Sequence, residues 1–316
     1  MVEIERAGPI FIQGILPRSG TNFLWDLLLL HPDCAAAVEP VREDLFLDHS
    51  DHLISFIEAI QDAWDPRWGA PGPELTRRFH ASIGEGLISF LWSDPDRRLL
   101  TKSPSVRHLR RFFAFFPTAR LLILVRDGRA VTQSCMDTFG WGFERAARAW
   151  AEGADEIERF GRTNAERSDR WRLVRYEDLV DDLETELPGI LDFVGLDPGA
   201  YDMEAARNLP VRGSSHFFGP GHSSVHWEPV RKEASFAPNE RWRSWSPRQL
   251  ERFEWIAGHG LRALGYGGGP PGRPLSTAPR HVLLDAWWRT KRAAVHAKDG
   301  LAAASRPLRR RLGLAR

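Results

Sequence analysis

The segment GILPRSGTN, residues 14–22, has the residue types of a loop that binds an anion. It lies between a short apolar run and an apolar helix-like segment, so free backbone N–H groups and a positive helix end would face one point. Gly14 and Gly20 permit a tight turn and close backbone approach. Loops that bind nucleoside triphosphates carry a lysine where this chain has Thr21. The alternative interpretation is an ordinary strand-to-helix turn with a solvated Arg18.

The missing lysine bears on the kind of anion. The chain lacks the ammonium group that holds β- and γ-phosphates, and no obvious acidic partner for magnesium follows the loop. A sulfuryl group carries less charge than a terminal phosphoryl group. Arg18, the loop amides and two hydroxyls could stabilise such a group without a metal.

A second anion anchor is predicted in the segment LLILVRDGRAVTQS. Arg126 stands where an apolar strand ends, and Ser134 lies two turns into the next helix. Ligands of open parallel sheets bind at the carboxyl ends of the strands, so this pair could hold a second phosphate away from the first loop. The alternative is that Asp127 caps the helix and Arg126 pairs with a neighbouring acid. Two separate anchors favour a nucleotide with a phosphate at each end of its ribose.

The elements around both anchors alternate between strand and helix. Apolar runs predict strands at 10–16, 35–40, 97–102, 119–127 and 170–179. Helical patterns cover 20–32, 42–62, 74–92, 105–117, 127–139, 143–160, 183–196 and 246–266. Strands that are apolar throughout indicate a parallel sheet covered on both faces. The predicted fold class is therefore α/β, a P-loop-containing three-layer fold with a central parallel sheet flanked by helices.

The domain organisation follows from composition. We expect one domain over 1–266, a lid-like acceptor segment at about 207–240, a flexible linker at 267–280 and a basic C-terminal helix or tail at 281–316. Residues 271–316 carry 11 Lys/Arg and 2 Asp/Glu, a net charge of +9, so residues 1–270 carry −8. An acidic body argues against a nucleic-acid partner.

The basic tail and the cysteine content suggest where the chain acts. The tail could make peripheral contact with an anionic membrane, or it could be a solvated helix or a disordered end. Cys34 and Cys135 are the two cysteines, too few for a disulfide framework, which favours a reducing compartment and a cytoplasmic location. No apolar stretch approaches the roughly 20 residues that span a bilayer.

Taken together, PRSGTN, TKSP, LVRDGRAVTQS and VRYEDLVDD resemble the motifs of sulfotransferases that use 3′-phosphoadenosine 5′-phosphosulfate. The resemblance extends over roughly 9–266, and it implies this nucleotide as co-substrate with no metal. It also implies that the 5′-phosphosulfate is held by Arg18, Ser19, Gly20, Thr21 and Asn22. The 3′-phosphate would be held by Arg126 and Ser134, and the late segment ERWRSWSP would bring Arg241 and Trp242 to the nucleotide.

The catalytic base follows from the branch of the family. Cytosolic small-molecule sulfotransferases place a histidine two residues after a lysine; here Lys102 is kept but Pro104 takes the histidine position. The tyrosylprotein sulfotransferases and their bacterial relatives carry a glutamate eight residues after the histidine of an HPD sequence, which corresponds to Glu39. The resemblance thus implies Glu39 as general base, with Lys102 stabilising the bridging oxygen of the leaving phosphate. Two alternatives stay open: Glu39 is a plain surface carboxylate, or the base is one of the histidines of the predicted lid, His216, His222 and His226.

The predicted function is transfer of a sulfuryl group to a hydroxyl acceptor, which the sequence does not name: a carbohydrate, a lipid, a phenolic metabolite or a tyrosyl group. The oligomeric state is also open. An ATP-dependent kinase-like P-loop enzyme is one rival hypothesis, and the missing loop lysine argues against it. A catalytically inactive nucleotide-binding module is the other.

Overall fold

A computed structural model of the chain describes residues 8–210, 240–267 and 278–293. Its centre is a five-stranded sheet in the order β2-β3-β1-β4-β5, in which every neighbouring pair is parallel. The strands are β1 Ile10–Gly14, β2 Cys34–Ala36, β3 Arg98–Ser103, β4 Arg120–Val125 and β5 Trp171–Arg175. The predicted α/β class with a central parallel sheet flanked by helices is confirmed.

The described residues also form eleven α-helices, several of which connect the strands. They are α1 Thr21–Leu29, α2 Ser50–Asp62, α3 Pro73–Leu91, α4 Phe112–Phe115, α5 Gly128–Phe139, α6 Phe143–Thr163, α7 Tyr176–Asp181, α8 Leu183–Val194, α9 Met203–Arg207, α10 Pro247–Ala263, and α11 at 278–293. No helix within these described ranges combines the length and the apolar character needed to cross a bilayer.

Each face of the sheet has its own core. On one face Ile12, Leu122 and Val174 pack in a buried cluster with residues of α1, α7 and α8. On the other face Phe11 contacts the rings of Phe112 and Phe116, at centroid distances of 5.2 and 4.6 Å. Because β1 and β4 are buried on both sides, their sequences show apolar runs rather than alternation.

The strand order fixes where a ligand can bind. The chain leaves β1 toward β2 on one side of the sheet, whereas it leaves β4 toward β5 on the other side. The loops that follow β1 and β4 therefore diverge and leave a crevice at their carboxyl ends. Gly14 is paired with Leu124, which places the 14–20 loop beside Arg126.

Several predicted elements are wrong in extent, and long-range contacts explain why. Helix 42–62 begins only at Ser50, because Asp44 donates its backbone N–H to Lys102 O at 3.1 Å and is held against β3. The predicted helix 105–117 is reduced to a 3₁₀ turn and the short α4, and His108 takes a left-handed conformation with φ 58°.

Four of the five strands are also shorter than predicted, and β5 and β2 show why. Strand 170–179 ends at Arg175, where α7 begins. Strand 35–40 is replaced by Cys34–Ala36, after which Val38 N–H donates to Leu91 O on α3 at 2.9 Å.

The chain folds as two compact units. Among the described residues, one unit comprises 8–210, 240–245 and 256–267 and contains the sheet; the other comprises 246–255 and 278–293. Within the second unit, Asp285 of α11 accepts hydrogen bonds from Arg252 Nη2 at 2.7 Å and from Trp255 Nε1 at 3.0 Å.

Candidate functional site

The loop after β1 has the backbone conformation that its glycines predict. Gly20 is left-handed with φ 101° and precedes α1, and a Cβ there would lie 2.4 Å from Cδ2 of Tyr176. A Cβ on Gly14 would lie 2.5 Å from Ser19 Oγ. Both positions therefore need glycine, and the turn between them is tight enough to present its backbone to a small anion.

The two predicted anion anchors are in direct contact. Arg18 Nε donates to Ser134 Oγ at 3.1 Å, and Arg126 Nη1 donates to Arg18 O at 3.0 Å. The prediction placed the second anchor away from the first loop, whereas these hydrogen bonds join them. Residues 108 or more positions apart in sequence thus form one site at the crevice.

This site concentrates buried positive charge. Burial, followed by the nearby charge of Arg126, lowers the pKa of Arg18 from 12.5 to about 10. Burial also lowers the pKa of Arg241, which the charge of Arg126 lowers further and Asp137 opposes. Three guanidinium groups that repel one another in a partly desolvated crevice would gain stability from an anion between them.

The hydroxyl of Ser19 makes no hydrogen bond within the described part of the fold. Its side chain is fully buried, and Oγ has no hydrogen-bond partner among the described residues. A buried polar atom of this kind is costly unless a ligand or water satisfies it. Thr21 starts α1 and is buried, and Asn22 is half-buried beside it. The loop residues present therefore fit an oxyanion.

The late segment predicted to approach the nucleotide packs on α5. Arg241 Nη1 lies 3.4 Å from Asp137 Oδ2, and the Arg129 guanidinium lies 4.1 Å from the ring centroid of Trp242. Trp245 Nε1 donates to Gln133 Oε1 at 2.6 Å. Arg241 and Trp242 are thereby held on the helix that carries Ser134, which brings Arg241 close enough to Arg126 for their charges to interact.

Tyr176 and Glu177 are site residues to which the sequence motifs alone gave no role. The Tyr176 ring packs beneath Gly20, and the Arg126 guanidinium lies 4.7 Å from the ring centroid. Glu177 accepts from the backbone N–H of Asp127 at 3.0 Å and from Tyr266 Oη at 2.8 Å. These two residues fix the start of α5 and the side chain of Arg126. They belong to the VRYEDLVDD motif, which was the available signal.

Lys102 is buried at the end of β3, and its partner was not predicted. Lys102 Nζ lies 3.2 Å from Glu43 Oε1, and burial lowers the lysine pKa while Glu43 opposes that shift. Asp44, the next residue, accepts from Thr101 Oγ1 at 2.9 Å. Glu43 is thus held beside Lys102 through β3 itself.

Glu39 lies in a more open setting. Its side chain is 70% exposed, and Oε1 lies 3.4 Å from Nη2 of the equally exposed Arg42. A carboxylate in that position is accessible to an incoming hydroxyl. His216, His222 and His226, with most of the predicted lid, lie outside the described residues.

A cavity of about 410 Å³ adjoins the loop. Ile15 and Leu16 form one wall, and the turn after β3 and one side of α6 form the others. Arg107, Arg110, Glu152 and Glu156 are among its lining residues, so charges of both signs face the space.

Comparisons with known proteins agree with this geometry. A model described as the sulfotransferase family matches residues 9–199. The sulfotransferase domain from the olefin synthase of Synechococcus PCC 7002 is 24% identical, with a TM-score of 0.52 over 84% of this chain and 98% of that domain. The sulfotransferase domain from the curacin biosynthetic pathway is 19% identical, with a TM-score of 0.51 over 82% of this chain and 98% of that domain. These two structures share the fold of this chain.

Proposed function

Since the chain belongs to the sulfotransferase family, we propose that it moves a sulfuryl group from 3′-phosphoadenosine 5′-phosphosulfate to a hydroxyl acceptor without a metal. The observation that carries this proposal is the joined cationic site. The glycine loop, Arg18, Arg126 and Ser134 meet at the crevice between β1 and β4. A donor with phosphate at both ends of its ribose would compete for Arg18 and Ser134, which now bond to each other.

Separate groups of residues would bind the two ends of this donor. The loop from Arg18 to Asn22 would hold the 5′ end through its amides and hydroxyls, including the buried Ser19 Oγ. Arg126 and Ser134 would hold the 3′-phosphate. Arg241 adds a third cation, and Trp242 an aromatic face held by Arg129. Charge-assisted hydrogen bonds of this kind are about twice as strong as neutral ones.

The transfer itself needs one base and one cation. The acceptor oxygen attacks sulfur while its proton passes to a carboxylate, and the bond from sulfur to the bridging oxygen breaks. The electron pair stays on the 5′-phosphate, where Lys102 and Arg18 would stabilise the new charge. We assign the base to Glu39, the position that the motif resemblance implies, because its carboxylate is exposed, whereas Glu43 is paired with Lys102.

An acceptor could reach the loop through the cavity beside Ile15 and Leu16. Carbohydrates, lipids, phenolic metabolites and tyrosyl peptides all carry the required hydroxyl. The first test is therefore a screen in which the full chain, the phosphosulfate donor and members of each class are incubated and analysed for sulfated product by mass spectrometry. Turnover of ATP with magnesium instead would favour a kinase-like enzyme, and nucleotide binding without transfer to any acceptor would favour an inactive module.

Two glutamine variants, at Glu39 and at Glu43, test which carboxylate is the general base. We expect Glu39→Gln to lower kcat by about 100-fold, because general bases contribute on the order of 10²–10⁴, with little change in affinity for adenosine 3′,5′-bisphosphate. Glu43→Gln should leave the pH dependence of kcat unchanged. Its effect should fall on the stabilisation of the leaving 5′-phosphate, the role proposed for Lys102. If Glu39→Gln were fully active and Glu43→Gln lost both its activity and the pH dependence of kcat, the base would be Glu43. Full activity of both variants would move the assignment to the histidines at 216, 222 and 226.

A further inference from the structure

Helix α11 carries an exposed apolar stripe on the side opposite to its packing contacts. His281 is buried and stacks on Trp255 at a centroid distance of 4.9 Å, and Asp285, one turn later, bonds to Arg252 and Trp255. Leu283 lies two residues from each, about 160° around the helix at 100° per residue. It is 71% exposed, and Val282 and Trp287 are each 56% exposed.

Cations flank this stripe on both sides. Arg280 and Lys291 lie about 60° and 80° from Leu283 in one direction, and Arg289 lies about 120° away in the other. All three are exposed, and Lys291 Nζ lies 5.1 Å from the ring centroid of Trp287. The one acid of the helix, Asp285, is held inward by Arg252. Apart from Thr290, the outward surface is therefore apolar along its middle and positive along its edges.

We propose that this face of α11 docks on an anionic lipid surface. A helix lying in the interface plane needs an apolar stripe to enter the acyl boundary and cations beside it to meet the headgroups. Tryptophan, as at Trp287, is enriched at that depth. Residues 294–316, which follow α11 in the sequence, contain six Lys/Arg and one Asp. Charge complementarity thus favours anionic lipid over a second copy of the chain, whose corresponding face would repel it.

The test is co-sedimentation of the full chain with vesicles of phosphatidylcholine alone or mixed with phosphatidylglycerol. Each cation near a charged surface favours binding several-fold, so the three flanking cations predict partitioning on the order of 100-fold stronger to the mixed vesicles. Higher salt should weaken binding. The double variant Leu283→Ser/Trp287→Ser should lose on the order of tenfold or more in partitioning to mixed vesicles.

Two controls keep the result interpretable. Phe90→Ser removes a ring that is 64% exposed on α3, and it should bind vesicles like the parent. Arg280→Gln/Arg289→Gln/Lys291→Gln should remove most of the preference for phosphatidylglycerol, and circular dichroism would show that each variant is folded. Equal binding to both vesicle types, or unchanged binding by the Leu283/Trp287 variant, would refute the proposal. So would a dimer in light scattering that this variant dissociates, with no vesicle binding by the parent.

Discussion

Replacing Arg18 by methionine should stabilise the ligand-free protein, although arginine is central to the proposed site. The pKa of Arg18 is lowered from 12.5 to about 10 by burial and by Arg126. A basic side chain whose pKa is lower in the folded protein than in the unfolded chain destabilises the fold at every pH below its folded-state pKa. Above its unfolded-state pKa the group is neutral in both states, and the effect disappears. At pH 7 the charge therefore costs about 3 kcal/mol, taking about 1.36 kcal/mol per pKa unit.

Other contacts of Arg18 offset part of this gain. The hydrogen bond to Ser134 Oγ contributes about 1.5 kcal/mol, and methionine keeps most of the apolar stem. The net expectation is about 1.5 kcal/mol of added stability, which corresponds to a rise of about 3–5 °C in Tm for a chain of this size. Thermal unfolding followed by circular dichroism measures it. Arg78→Met, which replaces an exposed arginine of α3, is the matched control and should stay within about 0.5 kcal/mol.

The same variant should lose its response to nucleotide. If it binds as proposed, adenosine 3′,5′-bisphosphate at 100 times its Kd should stabilise the parent by about 2.7 kcal/mol. If Arg18→Met raises that Kd about 100-fold, the same concentration adds only about 0.4 kcal/mol. A ligand-free Tm below that of the parent, with Arg78→Met unchanged, would refute the claim that the arginines are held against their mutual repulsion. A full nucleotide-induced shift in Arg18→Met would refute the role of Arg18 in binding.

Two further outcomes follow from the contacts around the site. Gly20→Ala should abolish nucleotide binding measured by calorimetry, because the new Cβ would meet the Tyr176 ring at 2.4 Å and the left-handed φ of 101° penalises alanine; Gly86→Ala, at an open position on α3, should bind like the parent. Burial raises the pKa of Asp44 from 3.8 to about 6, so the folded parent binds a proton more tightly than the unfolded chain. The free energy of unfolding of the parent should therefore rise as the pH falls from about 6 to 3.8, by up to about 1.4 kcal/mol per pH unit. Asp44→Asn should flatten this pH dependence. Denaturation curves at pH 4 to 8 check this, and parallel curves for Asp44→Asn and the parent would contradict it.

The parts of the site that sequence could predict are those that sit at strand ends within a local motif. Gly14, Arg18, Arg126 and Ser134 follow apolar runs, and parallel strands bring their carboxyl ends to one edge. The direct Arg18–Ser134 hydrogen bond was not predictable, because it depends on rotamers that tertiary packing selects. The position of Glu43 was not predictable for a related reason. The pattern of residues 42–49 predicts the start of a helix, and contacts made by Asp44 to Thr101 and Lys102 outweigh that local preference.

The missing loop lysine now has a physical explanation. Thr21, at the lysine position, is buried at the start of α1 with its methyl group against Gly14, so an ammonium there would be desolvated among three existing cations. The positive charge comes instead from the loop itself at Arg18, from the end of β4 at Arg126 and from the 241–245 segment at Arg241. Charge supplied from three elements is spread across the crevice rather than focused on one phosphoryl group. Such a distribution would suit an anion that is itself divided between two points, and in the proposed function nucleotide affinity would depend on the packing of α5 as much as on the loop.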